Sequence, residues 1–427
     1  MALPDLIEIH PLTRPVTAEV AVPGSKSITN RALILAALAR GETTLHGALW
    51  SEDTQVMTDC LQELGYMVHV AADPAEPCNR MLTVYGQGDR VPRGGTESQP
   101  LDLFVGNAGT AARFLATLLC LGSGVYRLHG VDRMHQRPQA ALFKALRQLG
   151  YRIDSPNDRL PALFHGGGAR PGRATVSIAE SSQFASALFL SARAGHWRIQ
   201  VTGDNAEASP YVAMTQRLVE GFPLEGGVFG IEPDASGGSY FWAGDRLAPA
   251  GSTVRVKDWP DSGWQMDAAF PRFLTLPETV SRLTDLGDSI LTAMVMAPVV
   301  SKAPVRFTDL GRLRVQECER VEAIREELTR CGGVVEERGD TLTVSPAGPG
   351  GLHGASIQTY EDHRMAMCFA ILGLKVGGIK IINPGCVKKT FPNYFQKLAA
   401  PPPQGLGVRV TDAATGAALR GEALFAM

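Results

Sequence analysis

The sequence predicts an α/β protein of two domains, each assembled from three copies of one repeated unit. Three observations carry that prediction. At 427 residues the chain is too long for one ordinary core, so two domains are the natural division. A unit of polar loop, apolar helix, Gly turn, β-branched strand, second loop, amphipathic helix and strand pair recurs six times, a βαβαββ-type pattern. The first helix of each copy is apolar nearly all round, which implies burial inside its own unit.

Composition narrows the function before any motif is read. With 44% hydrophobic residues, 20% charged residues and a net charge of −2, the chain reads as globular. It has no broad basic field to hold a nucleic-acid backbone, so any anion binding must come from local clusters. Seven cysteines, odd in number and without a CxxC pair, fit a reduced cytoplasmic chain better than a disulfide or zinc scaffold. The first ten residues lack a basic and an apolar segment, so no signal peptide is expected, and no apolar run is long enough for a membrane span.

The first unit opens at Val22-Pro-Gly-Ser-Lys-Ser-Ile-Thr-Asn-Arg-Ala32. A Pro-Gly turn frees backbone N–H groups at a helix start, where the macrodipole favours anions, and Lys26 and Arg31 add full positive charge there. The spacing predicts a helix over 27–38, a break at Gly41 and a strand over 43–45. Val56, Met57, Cys60, Leu61 and Leu64 then fall at helical spacing before Gly65, and 66–70 and 81–84 alternate like paired strands. The second unit starts at Gly106-Asn-Ala-Gly-Thr-Ala-Ala-Arg113, with a strand over 125–128 and a helix opened by Pro138 and closed at Gly150.

The third unit starts at Glu180-Ser-Ser-Gln-Phe184, with a strand over 197–201 and a helix after Pro210. The fourth starts at Asp234-Ala-Ser-Gly-Gly-Ser-Tyr240, the fifth at Gly287-Asp-Ser-Ile-Leu291 and the sixth at Tyr360-Glu-Asp-His-Arg-Met-Ala-Met367. Units three and four are shortened, each by about one strand pair, so smaller sheets or borrowed edges are expected there. Six polar loops at six helix starts suggest two three-fold arrangements whose helix N-termini face a common cleft. The Pro401-Pro402-Pro403 run reads as a linker into a short tail, with a strand at 408–410.

The loops and the helices that return to them carry Lys26, Arg31, Arg113, Arg137, Arg320, Arg364 and Lys389. Beside them stand Asp288, Glu317 and Asp362, with Ser27, Ser181, Ser182 and Gln183 as polar donors. Such a set suits a reaction between anionic small molecules. The cations neutralise phosphate and carboxylate groups, arginine bidentately, and a carboxylate kept ionised by them accepts a hydroxyl proton.

These residues also carry a resemblance. Pro23-Gly-Ser-Lys-Ser-Ile-Thr-Asn-Arg31, Gly106-Asn-Ala-Gly-Thr-Ala-Ala-Arg113, Arg133-Met-His-Gln-Arg-Pro138, Ser181-Ser-Gln183, Asp362-His-Arg-Met-Ala-Met367 and Lys389-Thr-Phe-Pro392 resemble, in order, the signatures of the 5-enolpyruvylshikimate-3-phosphate synthases. The resemblance runs from about Leu6 to Leu398. It implies a two-domain inside-out α/β barrel closing over shikimate 3-phosphate and phosphoenolpyruvate, with chain crossings near Val22 and Gly244. The expected first domain is then 1–22 with 245–398, the second is 23–244, and 399–427 is linker and tail.

The resemblance implies that Lys26, Asp288 and Glu317 are catalytic: Lys26 touches both substrates, Asp288 takes the proton of the attacking hydroxyl, and Glu317 with Lys26 moves protons at the methylene carbon. It implies shikimate 3-phosphate contacts from Lys26, Ser27, Arg31, Ser181, Ser182, Gln183, Tyr211, Asp288, Arg312 and Gln316. It implies phosphoenolpyruvate contacts from Lys26, Gly109, Arg137, Gln183, Arg320, Arg364 and Lys389. Addition–elimination with release of phosphate follows, with no metal or organic cofactor, in a cytoplasmic monomer that binds neither nucleic acid nor membrane.

Four positions depart from the family pattern. Gln316 stands where a lysine usually holds the acceptor phosphate, Ala208 replaces a serine next to Ser209, Arg312 replaces an asparagine, and Phe114 follows Arg113 where some members have proline. Gln316 and Ala208 leave one alternative open, a diverged paralogue that takes another hydroxylated acceptor or only binds an anionic ligand. The sister transferase acting on a UDP-sugar is disfavoured, because the loop after Gly130 has no cysteine. His165-Gly-Gly-Gly168 lacks a following Lys-Ser/Thr and reads as a turn, Cys368 and Cys386 read as structural, and the histidines show no metal spacing.

Overall fold

In the computed structural model, which describes residues 3–203 and 209–427, the chain divides into two compact units. One is Gly24–Glu232, and the other joins Met1–Pro23 to Pro233–Met427. The chain therefore leaves the Gly24–Glu232 unit at Glu232. The crossing expected near Gly244 falls inside helix Ala235–Leu247, which belongs whole to the second unit. Asp234 caps that helix by accepting from the Gly237 N–H, so the change of unit coincides with a helix start.

In the Gly24–Glu232 unit, helices Lys26–Ala37, Gly109–Cys120 and Gln183–Gly195 pack on one another. All twelve residues of Gly109–Cys120 are buried, which only an apolar helix with small residues tolerates. Thr117 and Ser191 share a hydrogen bond across two of these helices, so their hydroxyls are satisfied inside the core. Three sheets belong to the same unit. Strands Met67–Ala72, Asn79–Gln87, Arg40–Leu49 and Gly227–Gly230 form one. Strands Leu101–Phe104, Val125–His129, Ala162–His165 and Arg152–Asp154 form another. Gly172–Ser177 and Trp197–Thr202 pair alone, in parallel.

The other unit has its own trio of packed helices, Ala235–Leu247, Ile290–Val300 and His363–Leu372. Strand Thr253–Val256 pairs in parallel with Thr17–Val20 from the N-terminal segment. A four-stranded sheet contains Thr279–Ser281, Val305–Thr308, Thr341–Val344 and Val335–Arg338. The last sheet contains Ser356–Ile357, Ile379–Ile382, Leu6–Ile9 and Val410–Asp412. Among the described residues no helix is long and apolar enough to cross a membrane.

The last sheet corrects the reading of residues 399–427 as linker and tail. Val410–Asp412 pairs antiparallel with Leu6–Ile9, Ile9 opposite Val410, two residues beyond the expected strand. Leu406, Val408, Val410, Leu424 and Ala426 join the apolar core of this unit. The proline run misled because it marks a turn before the strand rather than an exit from the fold. Leu424 is fully buried, so Leu424→Ala is expected to lower unfolding free energy by about 2–5 kcal/mol in urea titrations. A linker residue would leave the midpoint unmoved.

Candidate active site

In the Gly24–Glu232 unit the charged groups gather at the starts of the three packed helices. Gly24 makes the entry to the first of them. A Cβ there would lie 1.9 Å from the Gly47 carbonyl oxygen, and its N–H donates to Asn79 Oδ1 at 2.8 Å. Lys26 is the first helical residue, and its Nζ lies 3.0 Å from Asp53 Oδ2. Asp53 is buried in the first turn of Glu52–Glu63, a partner that sequence spacing did not reveal.

Arg31 sits deeper than expected of a substrate contact. It donates to Thr215 Oγ1 at 2.8 Å, to the Ser27 carbonyl at 2.8 Å and to Ser186 Oγ at 3.2 Å. Its guanidinium carbon stands 5.2 Å from the centre of the Phe114 ring, and burial pushes its pKa down to about 10. This arginine joins three helices from inside. Tyr211 enters the same knot through its carbonyl, which accepts from Thr215 Oγ1 at 2.8 Å.

Gly109, Arg113, Arg137 and Gln183 form a second cluster. Arg113 donates to the Gly109 carbonyl at 3.1 Å, to the Pro138 carbonyl at 2.9 Å and to Gln183 Oε1 at 3.3 Å. Arg137 donates to the Asn107 carbonyl at 3.0 Å, while its buried Nε has no partner. A Cβ on Gly109 would stand 2.5 Å from Arg113 Nη1 and 2.6 Å from Arg137 Nη2. A side chain there would push one or both guanidiniums from these positions. Ser181 Oγ accepts from the Gln183 N–H at 3.2 Å, and Ser182 is the residue before that helix.

In the unit with Pro233–Met427 the charges are of both signs. Asp288 Oδ1 lies 3.1 Å from Arg282 Nη2, and its Oδ2 lies 3.1 Å from Arg364 Nη2 and 3.8 Å from Arg320 Nη1. Burial pushes the Asp288 carboxyl up, but Arg364, Arg320 and Arg282 outweigh it and hold it well below the usual carboxylate range. The Asp288 loop is fixed by buried Asp267, which accepts from the Gly287 N–H at 2.7 Å and from Ser289 Oγ at 2.6 Å, and also from Ser236 Oγ.

Arg320 is the centre of this cluster. It is 1% exposed and donates from Nε to Asp362 Oδ2 at 2.7 Å and from Nη2 to Glu317 Oε2 at 2.9 Å. Its Nη1 donates to Gln316 Oε1 at 2.5 Å. Lys389 Nζ lies 3.7 Å from Glu317 Oε1. Asp362 caps helix His363–Leu372 by accepting from the Arg364 N–H at 2.8 Å. Arg364 donates to the Tyr240 hydroxyl at 3.4 Å, and its buried Nε has no partner. These pairs join Arg282, Arg320, Arg364 and Lys389 to Asp288, Glu317 and Asp362, and Asp234 and Asp267 add their negative charge near Arg364.

The structure thus brings Asp288, Gln316, Glu317, Arg320, Asp362, Arg364 and Lys389 into one bonded network. Arg312 stands nearby in the turn Gly311–Val315, and Ala208 lies outside the described residues. Asp53, Asp267 and Arg282 were missed because none belongs to a spaced motif, and Tyr240 was read as part of the fourth unit's start without a role at the site. Burial pushes the Cys368 thiol up to about 12, in keeping with a structural role. Among the described residues no group of three or more His, Cys, Asp or Glu side chains is placed to hold a metal ion.

Comparison with known proteins places this geometry. The family model described as EPSP synthase (3-phosphoshikimate 1-carboxyvinyltransferase) matches residues 12–276 and 275–398. A 3-phosphoshikimate 1-carboxyvinyltransferase of Opitutus terrae is 40% identical over 441 residues, covering 93% of this chain and 98% of its own. The protein of that name from Pseudomonas savastanoi pv. phaseolicola is 36% identical over 432 residues, covering 95% of this chain and 98% of its own. The solved EPSP synthase of Acinetobacter baumannii shares the two-domain α/β fold at a TM-score of 0.69 and 21% identity, covering 95% of this chain and 100% of that one.

The charge network has a pH signature. The depressed Asp288 pKa adds stability that is fully present above about 3.9, the value of an unfolded aspartate, and fades as pH falls through the lower native value. Asp288→Asn leaves three arginines without that carboxylate and is expected to cost about 3–5 kcal/mol at neutral pH. Urea midpoints of the two proteins should converge as the pH drops below about 4. A gap that stays constant across this range would contradict the ion-pair assignment.

Proposed function

The chain belongs to the EPSP synthase family, and on that premise we propose that it transfers the enolpyruvyl group of phosphoenolpyruvate to the 5-hydroxyl of shikimate 3-phosphate, releasing phosphate, in chorismate and aromatic amino-acid biosynthesis. The observation that carries the reading is the excess of buried cations, with partnerless donors on Arg137 and Arg364, in a chain whose net charge is −2. Buried guanidiniums in surplus over carboxylates are the natural receptor for anionic substrates.

In this reading Lys26, Gly109, Arg137, Arg320, Arg364 and Lys389 take the carboxylate and phosphate of phosphoenolpyruvate. Ser27, Ser181, Ser182, Tyr211, Arg312 and Gln316 serve the acceptor, and Gln183 serves both. Arg31, which also holds Thr215, Ser27 and Ser186 with three of its five N–H groups, serves the acceptor as well. Protonation of C3 of phosphoenolpyruvate, through Lys26 and Glu317, makes C2 electrophilic. The 5-hydroxyl adds to C2 and gives its proton to Asp288; a C3 proton then returns to Glu317 and Lys26 as phosphate leaves the tetrahedral intermediate and the double bond re-forms.

The depressed Asp288 pKa fits this sequence of events. A carboxylate held by three arginines is a weak base. Substrate anions on Arg320 and Arg364 offset two of those charges, so Asp288 becomes more basic as the site fills. The same charges stabilise the phosphate that departs, and the scheme calls for no metal or organic cofactor. We assign the enzyme to the cytoplasm, as a monomer.

The decisive measurement is release of inorganic phosphate from phosphoenolpyruvate in the presence of shikimate 3-phosphate, with the enolpyruvyl ether detected by mass spectrometry. No turnover at millimolar substrates would sink the reading. Lys26→Met is expected to lower kcat at least ~10³-fold with an unchanged circular dichroism spectrum, and a fully active variant would refute its placement. Gly109→Ala crowds Arg113 and Arg137, so KM for phosphoenolpyruvate should rise about tenfold or more while KM for the acceptor stays within about twofold.

A further inference from the structure

Arg282 belongs to no motif, yet the sheet delivers it to a defined place. It follows strand Thr279–Ser281, which pairs in parallel with Val305–Thr308, Ser281 opposite Thr308. The Arg282 N–H extends that ladder by donating to the Thr308 carbonyl at 3.1 Å. The neighbouring strand continues through Asp309 into the turn Gly311–Val315, which carries Arg312 and ends beside Gln316. Register therefore sets Arg282 next to the segment that bears Arg312.

The chemistry of the pair is unusual for a protein interior. The Arg282 side chain is 6% exposed, one Nη2 hydrogen bond goes to Asp288, and its buried Nε has no partner. Arg312 is half-buried, and burial together with the like charge of Arg282 lowers its pKa. Two neighbouring guanidiniums repel each other, and an anion that accepts from both relieves that repulsion. Gln316 stands where the family pattern has a lysine, and its carboxamide oxygen accepts from Arg320, so it restores no charge.

We propose that Arg282, together with Arg312, binds the phosphate of the acceptor and so replaces the cation missing at Gln316, making Arg282 a specificity-determining residue for a phosphorylated acceptor. The proposal rests on the reaction assigned above. A phosphate dianion accepts from the Arg282 Nε that has no protein partner, while the contact with Asp288 holds the guanidinium in place. Guanidinium donors hold an anionic phosphomonoester more strongly than a neutral hydroxyl.

The test compares the wild type with Arg282→Gln, Arg282→Lys and Arg312→Gln. Dissociation constants for shikimate 3-phosphate and for unphosphorylated shikimate are measured by calorimetry or competition, beside steady-state kinetics. Arg282→Gln is expected to weaken shikimate 3-phosphate about 10- to 100-fold, with shikimate and the KM for phosphoenolpyruvate little changed. Arg282→Lys should recover most of the loss. An Arg282→Gln enzyme that loses kcat but keeps the wild-type ratio of the two affinities would show that Arg282 only positions Asp288, and would overturn the proposal. A wild type that binds both compounds equally would overturn it as well. Tight, phosphate-dependent binding without turnover would instead sink the assigned reaction and leave this site standing. Should Arg282→Gln fail to fold, the same ratio in Arg312→Gln, at a half-buried turn position, decides the matter.

Discussion

The buried guanidinium of Arg320 is the constraint on which the charged cluster of the Pro233–Met427 unit depends. A charge removed from water is tolerated only when other charges and hydrogen bonds replace its hydration. Here Asp362, Glu317, Gln316 and Asp288 do so, each from a different place along the chain or its turns. Asp362 reaches it from the start of His363–Leu372, and Asp288 from the loop before Ile290–Val300. One arginine therefore fixes two helix starts and the loop of Glu317 at once. Losing it would leave three carboxylates close together, whose mutual repulsion is then unopposed at the centre.

The Gly24–Glu232 half solves the same problem with different partners. Arg31 and Arg113 give their hydrogens to hydroxyls, carbonyls and the Gln183 carboxamide, and Arg137 to Asn107. Neutral acceptors satisfy hydrogen-bond geometry without cancelling charge, so the positive potential persists. Lys26 is given a carboxylate, Asp53, in an ion pair. The other unit instead sets the carboxylates of Asp288 and Glu317 directly beside arginines.

Arg282 shows how residues apart in the chain are brought to one neighbourhood. It lies at the end of Thr279–Ser281, whose parallel partner Val305–Thr308 leads into the turn that carries Arg312. Sheet register, not chain proximity, makes that approach possible.

Much of the local structure was legible in the residues. The helix start read at Ser27 lies one residue from the observed Lys26, and the strand read over 125–128 extends only to His129. Pro210 opens its helix as expected, and the apolar runs are buried as their composition implies. These features depend on spacing, caps and apolar content within a few residues, and such signals survive in one dimension. The crossing at Glu232, the Val410–Asp412 strand against Leu6–Ile9, and the partners Asp53, Asp267 and Arg282 were not legible. They depend on which sheet edge, loop or helix start packing brings near, not on spacing along the chain. The sequence by itself determined the two-domain α/β class, the helix starts and the surplus of cations at them. Tertiary structure alone decided which cation meets which carboxylate, because burial sets the energy of that choice and burial is a property of the folded whole.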